Sequence, residues 1–593
     1  MKNILTLIFL FVLNLAQAQE YFQRRFNFNA YPYVRNERFN GGIRTVNNYD
    51  ANNTFYYVVV GTSYNNTALS SPHNIADRLR FARMNKAGNG VLSNLGYHFL
   101  RDGRPLHASG NSIAEIPGTS GNGGYLAVGA VASNPVTGAV ASGGSDVLLT
   151  RLSAGGAVVW SRRIDIMGGS DIAWYIKRSR VPYNNQPTWL ICGESRQGST
   201  YTDAFVLRID QNGNIIWGNH YNFDPGAGQF NSAHNRVRQL AEDAAGYIYV
   251  VGTLQDNAWA NGIDGLAFKL SPAGAVVWAS NYHYAADDEF QAVRLSAGGN
   301  LVVGGFTNAG GMYNMQITSL TTAAGAIVFQ NIVRAGSNGV FYPGKCYDIV
   351  ETPGPQYYLA GVVTQNNVNR QMLYRVGAGG VPVSWNSYNP MVYSVGFGLD
   401  YIPGSCPGLA YFSSMRNPTN GAFSDGHIMK TDLATKTCKY LVPQPPARLP
   451  IYLYRYARQY IIRRAIYPFP LTAAVYNYLS WSICYVNCTS TAATHAGTTA
   501  DAEAPARPAA QSKLTLAPNP TRHILRIGAQ DLPAGGYQLE LRDKQGVLIL
   551  KRTLLITQGT LSAELDLSAA APGIYLLTVK QGNLVLQEKV VKQ

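Results

Sequence analysis

The chain has 593 residues and a formal net charge of +15, with 60 glycines, 38 tyrosines, 11% aromatic and only 14% charged residues. That length is too great for one ordinary core, and the composition is that of a β-rich, turn-rich extracellular protein, which argues against a helical cytosolic one. The positive charge is spread along the chain apart from one cluster (Arg448, Arg455, Arg458, Arg463 and Arg464), and no nucleic-acid motif accompanies it. It reads as diffuse surface charge, with affinity for a polyanion as the alternative, and no nucleic-acid partner is expected.

At the start, Met1-Lys2-Asn3 supplies a short positive segment, Ile4–Leu15 an apolar run, and Ala16-Gln17-Ala18 a small-x-small cleavage pattern. A signal peptide over 1–18 is expected, leaving a chain that begins at Gln19. The run is short for the roughly 20 apolar residues that span a bilayer. No later stretch is apolar enough to cross one, so no transmembrane segment is expected after cleavage.

From there the chain repeats itself. "DAFVLRIDQNGNIIWGNHY" (203–221) reads as a hairpin, two apolar runs joined by Asn212-Gly213-Asn214. Asn-Gly adopts the required turn angles cheaply. The same hairpin recurs as "DVLLTRLSAGGAVVW" from Asp146 and "DGLAFKLSPAGAVVW" from Asp264, and each copy follows a strand such as "GYLAVGA" or "GYIYVVG". Seven copies are found, the hairpins stepping from Asp77 to Asp425 at about 58 residues each. Earlier strand candidates ("NRVRQLAED", "FQAVRLSA", "KCYDIVET") bring each unit to four strands. Four strands repeated seven times predict an all-β fold, a seven-bladed β-propeller over residues 20–442. Separate sandwiches are excluded because a unit this small cannot bury a core alone. "YFQRRFNF" (21–28) matches the outer strand "WSRRIDI" (160–166), so the N-terminus either closes the last blade or forms an ordinary edge strand. The recurring Trp160, Trp217, Trp278, Phe329 and Trp385 are expected to fill space between blades.

After Leu441 the register breaks. Residues 443–488, rich in Tyr, Arg and Pro, match neither strand alternation nor a helix and are expected to form a few irregular strands beside the propeller. Residues 489–512 are small and polar and read as a flexible linker. Residues 513–593 resume alternation and are expected to form a small antiparallel β-sandwich.

In that last module Pro518-Asn519-Pro520 follows a first strand, Ile524–Ile527 form the next, and Gly546 sits in a hairpin turn. Pro572-Gly573-Ile574-Tyr575 precedes a strand, and the chain closes on Lys589-Val590-Val591-Lys592. On these residues the module closely resembles the type IX secretion sorting domain (type A) of proteins exported by bacteria of the Bacteroidetes group. One departure is Thr521-Arg522-His523, where an acidic residue is common in the family. The resemblance implies export through periplasm and outer membrane by the type IX machinery, with the protein at the cell surface or secreted. It also implies that Pro518, Asn519, Pro520, Gly573, Tyr575, Lys589 and Lys592 belong to the sorting signal. The repeats look like propeller cargos of the same bacteria, a likeness that carries no activity.

Catalytic patterns are absent from the sequence: no nucleophile elbow on a strand-to-helix turn, no His-Glu-x-x-His and no phosphate loop. Asp210-Gln211-Asn212-Gly213-Asn214 resembles the start of a calcium loop, but its equivalents in other copies lack carboxylates, so it reads as a turn. The Asp opening several hairpins (Asp146, Asp203, Asp264, Asp425) could line a channel or bond locally at a strand entry. Asp287-Asp288-Glu289 lies between two repeats, with Asp171 in a comparable place. These four are the candidate ligand-binding residues, for a cation or a sugar, set against a plainly solvated loop. Of six cysteines, two of Cys438, Cys484 and Cys488 are expected to pair, whereas Cys192 and Cys346 in strand-like runs are expected as buried thiols. No metal site or cofactor is expected. The functional expectation is a non-catalytic binding or adhesion module with a glycan or extracellular-matrix ligand; the alternatives are a propeller enzyme (quinoprotein-like or glycan-active) and a passive structural surface protein.

Overall fold

The computed structural model describes most of the chain from Glu20 to Lys592; the longer stretches outside the description are 1–19, 66–76, 135–143, 224–232, 436–446 and 488–513, with shorter ones in loops. Two compact units divide between residues 490 and 491. Among the described residues there is no α-helix, and the strand ladders are antiparallel apart from one parallel contact, Thr202 with His234.

In the first unit one pattern recurs, four strands each pairing with the next. Sheet 1 is Arg35–Arg44, Tyr56–Asn65, Arg78–Asn85 and Val91–Arg101. Sheet 2 is Ala108–Ile116, Gly124–Ala132, Ser145–Ser153 and Val158–Ile166. Sheet 3 is Ser170–Arg178, Thr188–Gln197, Tyr201–Asp210 and Ile215–Asn222. Sheet 4 is Ala233–Glu242, Ile248–Asp256, Ile263–Leu270 and Val276–His283. Sheet 5 is Asp288–Leu295, Leu301–Thr307, Asn314–Leu320 and Ile327–Ser337. Sheet 6 is Gly344–Thr352, Gln356–Gln365, Val368–Val376 and Pro382–Ser387. Sheet 7 is Ser394–Ile402, Gly408–Arg416 and Ser424–Asp432, and its fourth strand is Glu20–Phe26 from the other end of the chain.

Each first strand lies beside the first strand of the next sheet, and that of sheet 7 lies beside that of sheet 1. The apolar cores follow the same rule. Each cluster straddles two successive sheets: Leu148 of sheet 2 joins Tyr97 of sheet 1, and Phe412 of sheet 7 joins Tyr57 of sheet 1. No sheet has a core of its own, so burial stabilises a sheet only through its neighbours.

The recurrent aromatic supplies part of that contact. The turn joining third to fourth strand holds a glycine at positive φ, +76° at Gly213, +83° at Gly274 and +66° at Gly325. A Cβ there would meet the tryptophan of the preceding sheet, Trp160, Trp217 and Trp278 respectively, within 3.0 Å. The turn carbonyl is then taken by a tyrosine of that preceding sheet: Tyr221 donates to Gly274 O at 2.8 Å and Tyr282 to Gly325 O at 2.7 Å. Glycine is required on two counts, the left-handed backbone and the flat ring laid against it.

Residues 443–488 contribute a rim. Ala447–Pro450 pairs with the outer strand of sheet 5, Tyr454–Ala457 with that of sheet 4 and Ile461–Arg463 with that of sheet 3. Ile466–Asn477 pairs first with the outer strand of sheet 2 and then with that of sheet 1. Trp481–Asn487 pairs with Glu20–Phe26. The segment runs around the sheets in reverse order. Pro468 and Pro470 stand at alternate positions, so both missing N–H groups fall on the same side of the strand.

The second unit holds two antiparallel sheets. One contains Thr515–Ala517, Ile524–Ala529 and Leu561–Asp566; the other contains Leu548–Ile556, Gly535–Asp543, Gly573–Gln581 and Leu584–Lys592. Leu525, Ile527 and Leu565 of the first share one core with Leu539, Leu541, Leu577 and Val579 of the second.

The second strand of sheets 1 to 6 carries a glycine opposite an irregularity in the first strand. A Cβ on Gly61 would lie 1.8 Å from Arg38 O, and one on Gly252 1.9 Å from Arg236 O. Gly252→Ala should therefore destabilise the protein by about 2–4 kcal/mol in urea unfolding. Gly354→Ala, at positive φ but with no neighbour within 4 Å, should cost only about 1 kcal/mol. Equal effects would show that crowding at the second strand is unimportant.

Candidate functional site

A cavity of about 780 Å³ opens where the seven first strands meet, and all seven contribute to its wall. The irregularities explain which side chains enter it. Every first strand has a β-bulge against its second strand, at Phe39/Gly41, Gly110/Ser112, Ala173/Tyr175, Val237/Gln239, Phe290/Ala292, Cys346/Asp348 and Gly396/Gly398. The extra residues are Asn40, Asn111, Trp174, Arg238, Gln291, Tyr347 and Phe397, and every one lines the cavity. A bulge sets two residues against one and re-aims a side chain, so seven bulges create a ring of seven inward residues.

The wall mixes aromatic faces, amides and cations. Arg238 lies over Trp174 with 4.4 Å to the ring centre, and Arg38 over Phe397 at 5.1 Å. Lys345 lies 3.6 Å from the ring centre of Tyr313. One side is tied by Asp348, which takes Arg294 at 2.9 Å, Gln239 at 3.1 Å and Leu399 N at 2.9 Å. Lys177 is surrounded by protein although part of its surface forms cavity wall; burial, reinforced by Arg294 and Arg180, pushes its ammonium down to about 8. Among the described residues the lining contains no histidine and no cysteine. Its ligating chemistry is therefore that of amides, cations and carboxylates.

The candidates read from the sequence are separated by the fold. Glu289 lines the cavity, and burial raises its pKa against the pull of Arg238 and Lys345. Asp288, its neighbour on the strand, points the other way and is fully buried, accepting from Tyr284 N at 2.6 Å. Asp287 forms an isolated bridge with Ile263. Asp171 occupies the place in sheet 3 that Asp288 occupies in sheet 5; it is fully buried and accepts from Ile166 N at 2.6 Å. Both aspartates clip the corner between one sheet's outer strand and the next sheet's first strand. None of the hairpin aspartates lines the cavity, and Asp146, Asp203 and Asp264 bond to side chains: Asp203 takes His220 at 3.1 Å and Asn222 at 2.6 Å, Asp264 takes His283 at 2.8 Å, and Asp146 takes Arg163 at 3.1 Å. Asp210 accepts from Asn212 N and Asn214 N, both at 2.8 Å, as a turn residue does.

Two of these corners gather three groups with ligand atoms within 4.8 Å of one another, Asp146, Asp165 and Asp171 at one and Asp264, His283 and Asp288 at the other. Either is a set that a cation could use, although Arg163 already neutralises Asp146 and His283 bonds Asp264 at 2.8 Å. Cys192 and Cys346 are free and buried. Cys438 and Cys488 lie outside the described residues; Cys484 lies in the strand that pairs with Glu20–Phe26. In the second unit Gly573 pairs with Lys592, Leu576 with Lys589, and Tyr575 donates to Ala571 O at 2.6 Å; Pro518, Asn519 and Pro520 lie outside the described residues.

The seven bulge residues were not singled out from the sequence, yet they leave a trace. Apolar residues of a half-buried strand recur every second position. In the first strands the spacing slips to three, as in Val237 to Leu240, Phe290 to Val293 and Cys346 to Ile349, all buried. The slip marks the extra residue.

Residues 515–593 match the family described as secretion system C-terminal sorting domain. The chain is thus marked for type IX secretion and for the outside of the cell. Among solved structures, the chain is similar to a mutant form of the Synechocystis apocarotenoid oxygenase, 11% identical, over 71% of this chain and 97% of that one with a TM-score of 0.36. A search of curated proteins gives no match. No helix among the described residues is long and apolar enough to cross a membrane.

Burial raises the Asp171 carboxyl to about 7, with Asp146 and Asp165 adding repulsion against the bonds from Ser195 and Ile166. A carboxyl raised in the folded state contributes stability below its unfolded value near 4, and that contribution is lost as pH rises through 7. Asp171→Asn should match the wild type near pH 4 and exceed it by about 1–3 kcal/mol at pH 8. A variant no more stable at pH 8 would show that Asp171 is held charged by something else, such as a bound cation.

Proposed function

We propose that the first unit is a seven-bladed β-propeller and the second a small β-sandwich, and that the propeller is a non-catalytic binding module carried out of the cell by its C-terminal sorting domain. In this reading a signal peptide over residues 1–18 takes the chain to the periplasm. Residues 513–593 then engage the type IX machinery, and Pro518, Asn519, Pro520, Gly573, Tyr575, Lys589 and Lys592 serve as sorting residues. The ligand, a glycan or a matrix component, enters the central cavity.

The observation that carries the reading is the convergence of seven bulge residues on one cavity. Seven irregularities that share one destination are expensive to keep as accidents, since each interrupts a ladder. The cavity size falls in the range of small-ligand sites. The corner carboxylates Asp171 and Asp288 act, on this reading, through structure, and Glu289 is the one sequence candidate that meets the ligand.

Deletion of residues 515–593 should leave the protein inside the cell envelope and remove it from surface and medium, as measured by fractionation. Normal secretion of the truncated chain would overturn the sorting role. For binding, the full secreted chain is screened on glycan and matrix arrays. Trp174→Ala and Arg238→Ala should each weaken the best ligand about tenfold or more while the thermal midpoint stays near that of the wild type. Binding indifferent to both changes would place the ligand elsewhere.

A further inference from the structure

The charges around the cavity do not balance. Seven lysines and arginines line it against four carboxylates, Glu115, Glu289, Asp348 and Asp400. Three of those carboxylates are already engaged by the wall itself. Asp348 holds Arg294 and Leu399 N, Asp400 accepts from Arg44 N at 2.9 Å, and Glu115 accepts from Val46 N at 2.7 Å. Glu289 is left facing the remaining cations, bonded to Gln291 at 2.8 Å.

The cations are less well answered. Lys177 forms no hydrogen bond and no ion pair among the described residues, and the charges acting on it are Arg294 and Arg180, opposed by Glu242. Arg238 has an aromatic face beneath it, and its carboxylate neighbour Glu194 stands 4.0 Å away. Lys345 rests on Tyr313 and Phe306, at 3.6 and 4.4 Å from the ring centres, and burial lowers its pKa in spite of the carboxylates Glu289 and Asp287. An ammonium that has lost water without gaining an acceptor is costly, and a ligand anion would relieve that cost. The lowered affinity of Lys177 for its proton is the same imbalance seen as titration.

The aromatic bulge residues narrow the ligand further. Trp174, Tyr347 and Phe397 bring flat apolar faces into the wall, interleaved with the amides of Asn40, Asn111 and Gln291. Flat faces pack against a ring, amides bond hydroxyls, and cations take an acid group. A volume of 780 Å³ holds a ligand of a few rings and no duplex.

We propose that the cavity binds an acidic saccharide, a sugar carrying a carboxylate or sulfate, whose acid group is taken among Lys177, Arg238 and Lys345. The inference rests on the reading of the cavity as a binding site. Carboxylate and sulfate offer the same charge to these cations, and the choice between them is made by experiment.

The full mature chain is titrated by calorimetry with three probes: a uronic-acid disaccharide, a sulfated disaccharide and a neutral disaccharide of the same size. At least one acidic probe should bind tenfold or more tighter than the neutral one and weaken as salt is raised. Whichever acidic probe wins assigns the acid group. Lys177→Met should weaken that probe about tenfold with a thermal midpoint unchanged or raised, because the variant removes a desolvated cation of similar length. A merely structural lysine would lower the midpoint instead. Equal affinity for neutral and acidic probes, or wild-type affinity in Lys177→Met, overturns the acidic ligand while leaving the cavity as the binding site. Failure of all three probes also overturns it; if no array ligand depends on Trp174 or Arg238 either, the binding-module reading falls with it.

Discussion

Much of this structure depends on a missing side chain. In six of the seven sheets a glycine on the second strand lets the backbone of the first strand approach to a distance no Cβ would allow. That approach makes room for the extra residue of the bulge, and the bulge turns a side chain toward the centre. In sheet 7 the solution is inverted. Phe412 and Ser413 stand on the second strand, and the glycines, Gly396 and Gly398, move to the first. A Cβ on Gly396 would lie 1.8 Å from the Tyr411 hydroxyl, so the crowding is relieved from the other side. Chemistry at the cavity and backbone sterics at the second strand are one constraint.

A second dependence joins the sheets to one another. Since every apolar cluster spans two sheets, removal of one sheet would expose the faces of both its neighbours. The turn lock adds direction to that burial. An indole or phenyl ring, an amide and a tyrosine hydroxyl from one sheet all address a single turn of the next, as Trp217, Asn219 and Tyr221 do at Gly274. In sheet 7 the turn residue is Thr435 at φ +62°, and Asn386 and Tyr388 still donate to its carbonyl. The hydrogen bonds survive a residue that the backbone angle disfavours, which shows how strongly the neighbouring sheet fixes this turn.

These arrangements were unequally legible in the sequence. The four-strand period could be read because alternation and Gly-containing turns are local signals; the likeness of residues 21–28 to 160–166 left closure and an ordinary edge strand open, and the pairing of Glu20–Phe26 with Ser424–Asp432 gives the former. The first strand of sheet 1 escaped notice, since Arg35–Arg44 contains two glycines and few apolar residues. The rim could be read only as a few irregular strands, and its path around the sheets could not: its strands are as short as three or four residues and contain prolines, and their partners lie more than a hundred positions away. Charged candidates were grouped together for a related reason. An acidic run looks like one patch along a sequence, but on a strand adjacent residues face opposite ways, so Glu289 reaches the cavity and Asp288 the corner. The bulge residues have no common chemistry, and only the slip in apolar spacing betrays them.

The rim has a consequence for the life history of the chain. Its last strand, Trp481–Asn487, lies on Glu20–Phe26, the first strand described, which is itself held on its other side by Ser424–Asp432. A strand made early is therefore gripped between two made later, and its full pairing waits until residue 487 has been synthesised. Long-range pairing of that kind forms slowly and, once formed, opens only when two ladders break together. Among the described residues every strand of the first unit lies at or before Asn487, whereas the sorting domain begins at residue 515. A protease cutting between them would take away the export label and leave each strand of the closed unit with its partners.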